Sequence, residues 1–124
     1  MNNAVSSDIA TIGRISAVPA ILQVICQSTG MRFAAVARVT EHSWTACAVL
    51  DGLGFGLDVG GELDVTTTLC DVIRSSHQAI VIDKASEDPL YCNHPTPIQY
   101  KFESYISVPV YLQDGSFFGT ICAL

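Results

Sequence analysis

The sequence predicts an α+β domain built on a central antiparallel β-sheet of about five to six strands. Two observations carry this expectation. Strand-like segments come as neighbouring pairs joined by short turn signals, of which Asp114-Gly115 is the strongest, and helix-like segments lie outside those pairs. The 124 residues, 49% hydrophobic and only 15% charged, amount to one small domain with ample material for a core.

That balance excludes disorder, because a disordered chain lacks the apolar surface needed to offset its ordering entropy. Six basic against twelve acidic residues give a net charge of −6. An acidic surface repels phosphate backbones, so neither nucleic acid nor an anionic membrane is expected as a partner. No apolar run approaches the ~20 residues of a membrane helix. The opening Met1 to Ser7 has neither the basic nor the apolar region of a signal peptide. A cytoplasmic location is the expectation. Five cysteines (Cys26, Cys47, Cys70, Cys92 and Cys122), an odd number without a CxxC pair, are read as reduced thiols, and no metal site is expected from them.

Along the chain, Ser7-Asp8 reads as a helix start, followed by Ile9, Ile12 and Ile15 at helical spacing. Pro19 suits the first turn of a second helix, Val18, Leu22 and Ile25 continue the apolar stripe, and Gly30 is a C-terminal stop. One kinked helix or two short ones are expected over residues 7–29. Phe33 to Thr40 is apolar and β-branched enough for a largely buried strand, and Trp44 to Leu50 is its hairpin partner across Glu41-His42-Ser43. Residues 51–61 hold five glycines and read as a loop. Thr66-Thr67-Thr68 opens a helix ending near His77, with Leu69, Val72 and Ile73 on its apolar side, and Ala79 to Asp83 is a short strand. Residues 86–103, with three prolines and little periodicity, are either functional or a short helix with flanking loops. Ser104 to Leu112 alternates, with Ile106, Val108, Val110 and Leu112 on one face and Tyr105, Ser107, Pro109 and Tyr111 on the other. Phe117 to Leu124 is the returning strand.

Residues Thr29 to Thr40 (TGMRFAAVARVT), Gly60-Gly61-Glu62-Leu63, His94-Pro95-Thr96-Pro97, Ser104 to Val110 (SYISVPV) and Asp114 to Thr120 (DGSFFGT) together resemble the GAF domain. The wording is similar to that in bacterial sensor histidine kinases and related two-component or cyclic-dinucleotide signalling proteins, and the likeness covers about residues 9–124. The resemblance implies terminal helices on one face of the sheet. On the other face it implies a pocket roofed by residues 86–103 and the loop 51–61. It also implies a sensory domain that is not itself catalytic, feeding an output domain such as a histidine kinase. Family members carry a further terminal helix, so the chain is expected to be the N-terminal piece of a longer protein. A homodimer through the first helices, using Ile9, Ile12, Val18 and Leu22, is expected of such a module.

Catalytic motifs do not occur: there is no Gly-x-Ser-x-Gly, P-loop or His-Glu-x-x-His. The candidate pocket residues are Trp44, Asp88, Tyr91, Cys92, His94, Tyr100 and Tyr105. Three readings stay open for Cys92 and His94: packing and turn formation, contact with an unidentified organic ligand, or attachment of a linear tetrapyrrole (bilin). The last is implied by resemblance to phytochrome-type members, which attach a bilin through a cysteine shortly before a strand like Ser104–Leu112. Another subgroup reduces free methionine sulfoxide with reactive cysteines. Cys47, Cys70 and Cys122 are read as core.

Overall fold

The structure, a computed structural model, describes residues 3–124, so Met1 and Asn2 of the opening segment lie outside the described residues. Two helices lead: α1 (Asn3–Gly13) and α2 (Ala17–Thr29). They meet at a bend of 79°. The chain thus takes the two-helix alternative, and α1 starts upstream of the expected Ser7-Asp8. Asp8 does not cap the helix; its carboxylate reaches the sheet and accepts a hydrogen bond from Arg38 Nε at 3.2 Å. Pro19 occupies the first turn of α2, where no backbone N–H is needed. Gly30 closes the helix at φ 76°, its N–H donating to the Cys26 carbonyl at 3.0 Å. Ile15 departs from the expected stripe: it falls in the bend after Gly13 and is exposed. No single helix among the described residues is long and apolar enough to cross a membrane.

Six strands follow: β1 (Phe33–Val39), β2 (Trp44–Asp51), β3 (Glu62–Leu63), β4 (Ile80–Ile82), β5 (Tyr105–Tyr111) and β6 (Phe117–Ala123). They form one antiparallel sheet in the order β3-β2-β1-β6-β5-β4. The two-residue β3 is an addition to the expected set, held at the edge by pairing with Trp44 and Thr45. The β1–β2 turn closes through the Thr40 N–H, which donates to the Ser43 carbonyl at 2.9 Å. In the β5–β6 turn Asp114 accepts from the Ser116 N–H at 2.9 Å, and Gly115 takes φ 87°. Pro109 is tolerated in β5 because β4 pairs only with Tyr105, Ile106 and Ser107, leaving that side of β5 open farther along.

Both faces of the sheet are covered, which explains why β1 reads as a continuous apolar run. Ala34 and Val36 of β1 face α1 and α2, joined by Val18, Leu22, Cys47 and Phe118, with Ile9 and Ile12 against them. Phe33, Ala35, Ala37 and Val39 face the opposite side. Two register shifts set which residues face where. One lies between Val36 and Ala37 in the β1–β2 pair, the other between Val110 and Tyr111 in the β5–β6 pair. Each inserts one residue on one strand and so exchanges the faces beyond it.

The second face carries the shorter elements. A 3-10 turn (Val65–Thr67) leads into α3 (Cys70–Ser76), so the helix begins four residues later than Thr66 suggests. Asp64 supplies the cap at the 3-10 turn, accepting from the Thr66 N–H at 3.1 Å. Leu69 and Ile73 are buried but Val72 is exposed, since the short helix turns only one narrow side inward. A second 3-10 turn (Ala85–Glu87) and α4 (Pro95–Tyr100) give residues 86–103 a defined path. On β5, Ile106 and Val110 face the helices, whereas Val108 and Leu112, expected on the same face, are exposed.

Candidate binding cavity

A cavity of about 40 Å³ lies on the sheet face opposite α1 and α2. Its floor is the sheet itself: Phe33 of β1, Trp44 of β2, Tyr105 of β5 and Cys122 of β6. Thr68, Leu69 and Cys70 at the start of α3 form a wall, and Phe55, Thr96, Tyr100 and Phe102 form the roof.

The roof is anchored at both ends. In the loop 51–61, one carboxylate organises the backbone. Asp51 Oδ1 accepts from the N–H groups of Leu53 at 3.1 Å and Phe55 at 3.0 Å, and Oδ2 from Gly56 at 2.9 Å. Those bonds, that of Phe55 foremost, hold the Asp51 carboxyl below its ordinary range. A phosphate would have to compete with Asp51 for these amides, so the glycine-rich stretch is a built turn. It aims Phe55 inward, with ring centroids 5.3 Å from Phe33 and 6.0 Å from Tyr100. On the other side, Thr96 Oγ1 donates to the Thr67 carbonyl at 2.6 Å, and the Tyr100 and Thr67 hydroxyls pair at 2.5 Å. α4 is thereby tied to the turn that precedes α3.

Of the candidate residues named from the sequence, Trp44, Tyr100 and Tyr105 line this cavity, while Asp88, Tyr91, Cys92 and His94 lie outside it. Asp88 caps a turn, accepting from the N–H groups of Leu90 at 2.8 Å and Tyr91 at 3.2 Å. His94 Nδ1 accepts from the Thr96 N–H at 3.2 Å and so caps α4. Tyr91 and Cys92 border a separate surface groove of about 290 Å³ between this segment and α4. A bilin does not fit this cavity of about 40 Å³. Pockets for ligands of even drug size run to ~300–1,000 Å³. Cys92 stands outside this cavity and borders the separate groove. Among the described residues, no group of three or more His, Cys, Asp or Glu side chains gathers as a metal site.

Sequence reasoning missed the residue with the richest polar surroundings. Cys70 Sγ lies 3.2 Å from Thr120 Oγ1, 3.6 Å from the Tyr105 hydroxyl and 3.9 Å from Ser107 Oγ, all buried. The Cys122 thiol, assisted by the Thr120 and Tyr105 hydroxyls and the Trp44 side chain, lowers the Cys70 pKa to about 6 against the opposing effect of burial. Its partner moves the other way: interaction with Cys70 and burial hold Cys122 well above its ordinary value. Burial likewise pushes Tyr105 well up. The available signal was the alternation Tyr-x-Ser on β5 beside Thr-x-Cys on β6, polar groups at strand positions that turn inward.

These shifts predict how stability varies with pH. Cys70 is lowered from 9.0 to about 6, so in that interval the unfolded chain binds more protons than the folded one, and stability rises with pH. Above about 9 to 10 the sign reverses, because Cys122 and Tyr105 keep protons that the unfolded chain releases. Thermal unfolding followed from pH 6 to 11 is expected to show a maximum near pH 9, and Tyr105→Phe to soften the alkaline fall. A midpoint that does not rise between pH 6 and 8.5 would refute the assignment.

The family model described as GAF domain matches residues 14–124. Curated proteins offer no match to this sequence. Among solved structures, the fold is similar to a type II free methionine-R-sulfoxide reductase from Thermoplasma acidophilum. The two are 20% identical at a TM-score of 0.59, the alignment covering 87% of this chain and 71% of that one. A putative GAF sensor protein from Burkholderia vietnamiensis is 14% identical at a TM-score of 0.56, with 82% of this chain and 60% of that one covered. Residues 122 to 287 of a methyl-accepting chemotaxis protein give 13% identity and a TM-score of 0.63, with 98% and 82% covered.

Proposed function

The chain belongs to the GAF domain family, and on that premise we propose that it is a sensory and regulatory domain that binds a small molecule in the cavity beneath α4. The observation that carries this reading is the cavity between sheet, α3 and roof, whose surface is almost wholly apolar. Its roof consists of two segments fastened by a few hydrogen bonds, so an occupant would bear on α4 and the loop 51–61 together. A signal requires an occupant with different affinity for two arrangements of that roof. The resemblance favours a place in a cytoplasmic bacterial two-component protein, with a histidine kinase as the output domain.

Trp44 in the floor is the only tryptophan and reports occupancy directly. Titration of its fluorescence with uncharged molecules of a few heavy atoms, beside their effect on the melting temperature, tests the reading. A saturable response abolished by Leu69→Phe, which adds bulk to the wall, is expected. No response to any of them by either measure would count against it.

Dimerisation belongs to the same proposal, through a different surface from the one expected. Ile9, Ile12, Val18 and Leu22 pack on the chain's own sheet, while Ile21 and Val24 of α2 are exposed at 44% and 59%. Sedimentation of the wild type should show a concentration-dependent dimer that Val24→Glu returns to monomer. A monomer at every concentration would remove the dimer.

The second reading, reduction of free methionine sulfoxide, rests on the likeness to the Thermoplasma protein and on two cysteines in the cavity wall and floor. A free amino acid substrate is larger than about 40 Å³, so this reading requires the roof to open. Turnover of the free sulfoxide with a thiol reductant would establish it.

A further inference from the structure

Two strands and one helix bring five thiol and hydroxyl groups together. β5 turns Tyr105 and Ser107 inward, β6 turns Thr120 and Cys122 inward, and Ser107 and Cys122 are paired in register. The first residue of α3 sets Cys70 over this square. Ser107 and Thr120 are completely buried and Tyr105 nearly so. Buried hydroxyls require partners, and all three lie within hydrogen-bonding reach of the Cys70 sulfur. A neutral thiol is a weak acceptor, whereas a thiolate takes charge-assisted hydrogen bonds. Cys122, the fifth member, lines the cavity beside Cys70.

The cavity decides what reaches that sulfur. A space of about 40 Å³ accommodates a few atoms, since one water needs ~10–15 Å³ on the same measure. A space of that size suits a neutral molecule little larger than water better than a charged or bulky oxidant.

We propose that Cys70 is a nucleophilic site that reacts with hydrogen peroxide inside the cavity, and that Cys122 resolves the product into a disulfide. The Cys70 thiolate attacks one peroxide oxygen, and the O–O bond breaks. Sulfur loses two electrons and becomes a sulfenic acid, while the other oxygen leaves as hydroxide. The Cys122 thiol then attacks the sulfenic sulfur; the S–S bond forms as the S–O bond breaks, and the hydroxyl departs with the Cys122 proton as water. Cys70 at about 6 is largely thiolate at neutral pH, consistent with that first step. This chemistry goes beyond the ligand-binding reading, since the fluorescence and melting responses of the cavity to unreactive molecules stand or fall independently of it.

The test is peptide mapping of the reduced, full 124-residue chain after one equivalent of peroxide at pH 7. Alkylation in denaturant follows, to count the thiols left. The expected result is a loss of two hydrogen masses with the Cys70 and Cys122 peptides joined, while Cys26, Cys47 and Cys92 remain alkylatable. In Cys122→Ser, dimedone should trap the sulfenic acid on Cys70. Should that variant not fold, the rate of the wild-type reaction supplies a second readout. Between pH 7 and 8 the rate stays flat for a thiol already ionised, whereas a thiol at the ordinary 9.0 gains about tenfold. Oxidation confined to Cys26 or Cys92, a disulfide joining other cysteines, no reaction, or a tenfold rise in rate would each overturn the proposal.

Discussion

Gly119→Ala is expected to lower the melting temperature by about 10 °C or more, or to abolish soluble folding. Gly119 lies in β6 opposite Arg38 of β1 and Val110 of β5, so it has a strand on either side. A Cβ added there would come within 1.8 Å of the Ala37 carbonyl oxygen, 2.9 Å of the Ala37 carbonyl carbon and 3.0 Å of the Val39 nitrogen. All three atoms belong to the backbone of β1, so no side chain can swing aside. Relief requires β1 and β6 to separate in the middle of the sheet. Overpacking against side chains already costs ~1–3 kcal/mol, and against a fixed backbone the upper end or beyond applies. Domains of this size are stable by only ~5–15 kcal/mol and shift by roughly 4 °C per kcal/mol. Calorimetry of the variant checks it; a melting temperature within ~3 °C of the wild type would show that the strands can part cheaply. Gly115, by contrast, is glycine for its positive φ rather than for lack of room.

Leu69→Ala should cost about 3–5 kcal/mol and at the same time enlarge the binding cavity. Leu69 is 1% exposed and stands in the cavity wall, so its removed carbons add to a space that already exists. Large-to-small changes in cores carry both the lost transfer free energy and a term for residual volume, ~2–5 kcal/mol for leucine. Collapse is resisted because α3 is held by Ile73 and the roof by the Thr67 bonds to Thr96 and Tyr100. Apolar cavities of that kind stay dry and bind small apolar molecules. Benzene or xenon should therefore raise the melting temperature of Leu69→Ala more than that of the wild type, by ~2.7 kcal/mol of stability at a hundred times the dissociation constant. Equal responses would mean that the site had closed.

How far the sequence could be read depended on the range over which each feature is encoded. The Gly30 stop, Pro19 in a first turn and the Asp114-Gly115 hairpin depend on one to four neighbouring residues, and all three stand as read. Helix starts were less legible. Asp8 looks like a cap but lies inside a helix that runs from Asn3, where it serves Arg38 thirty residues away. Of the aromatic positions named from the sequence, Trp44, Tyr100 and Tyr105 line the cavity. The Asp88 to His94 cluster drew attention by its residue types, yet its polar groups serve its own turns and the α4 cap.

Composition, periodicity and turn chemistry alone determine a small antiparallel α+β domain, the order of its elements and the burial of β1 on both faces. Only the tertiary structure decided that Cys70 meets Thr120, fifty residues away, and that Cys122 lies beside it. The physical reason is register. Strand side chains alternate with a period of two, so the single inserted residue between Val110 and Tyr111 in the β5–β6 pairing settles whether Thr120 and Cys122 face the cavity or the helices. No local pattern encodes that choice, because it is made by how the whole sheet closes against α3 and the roof.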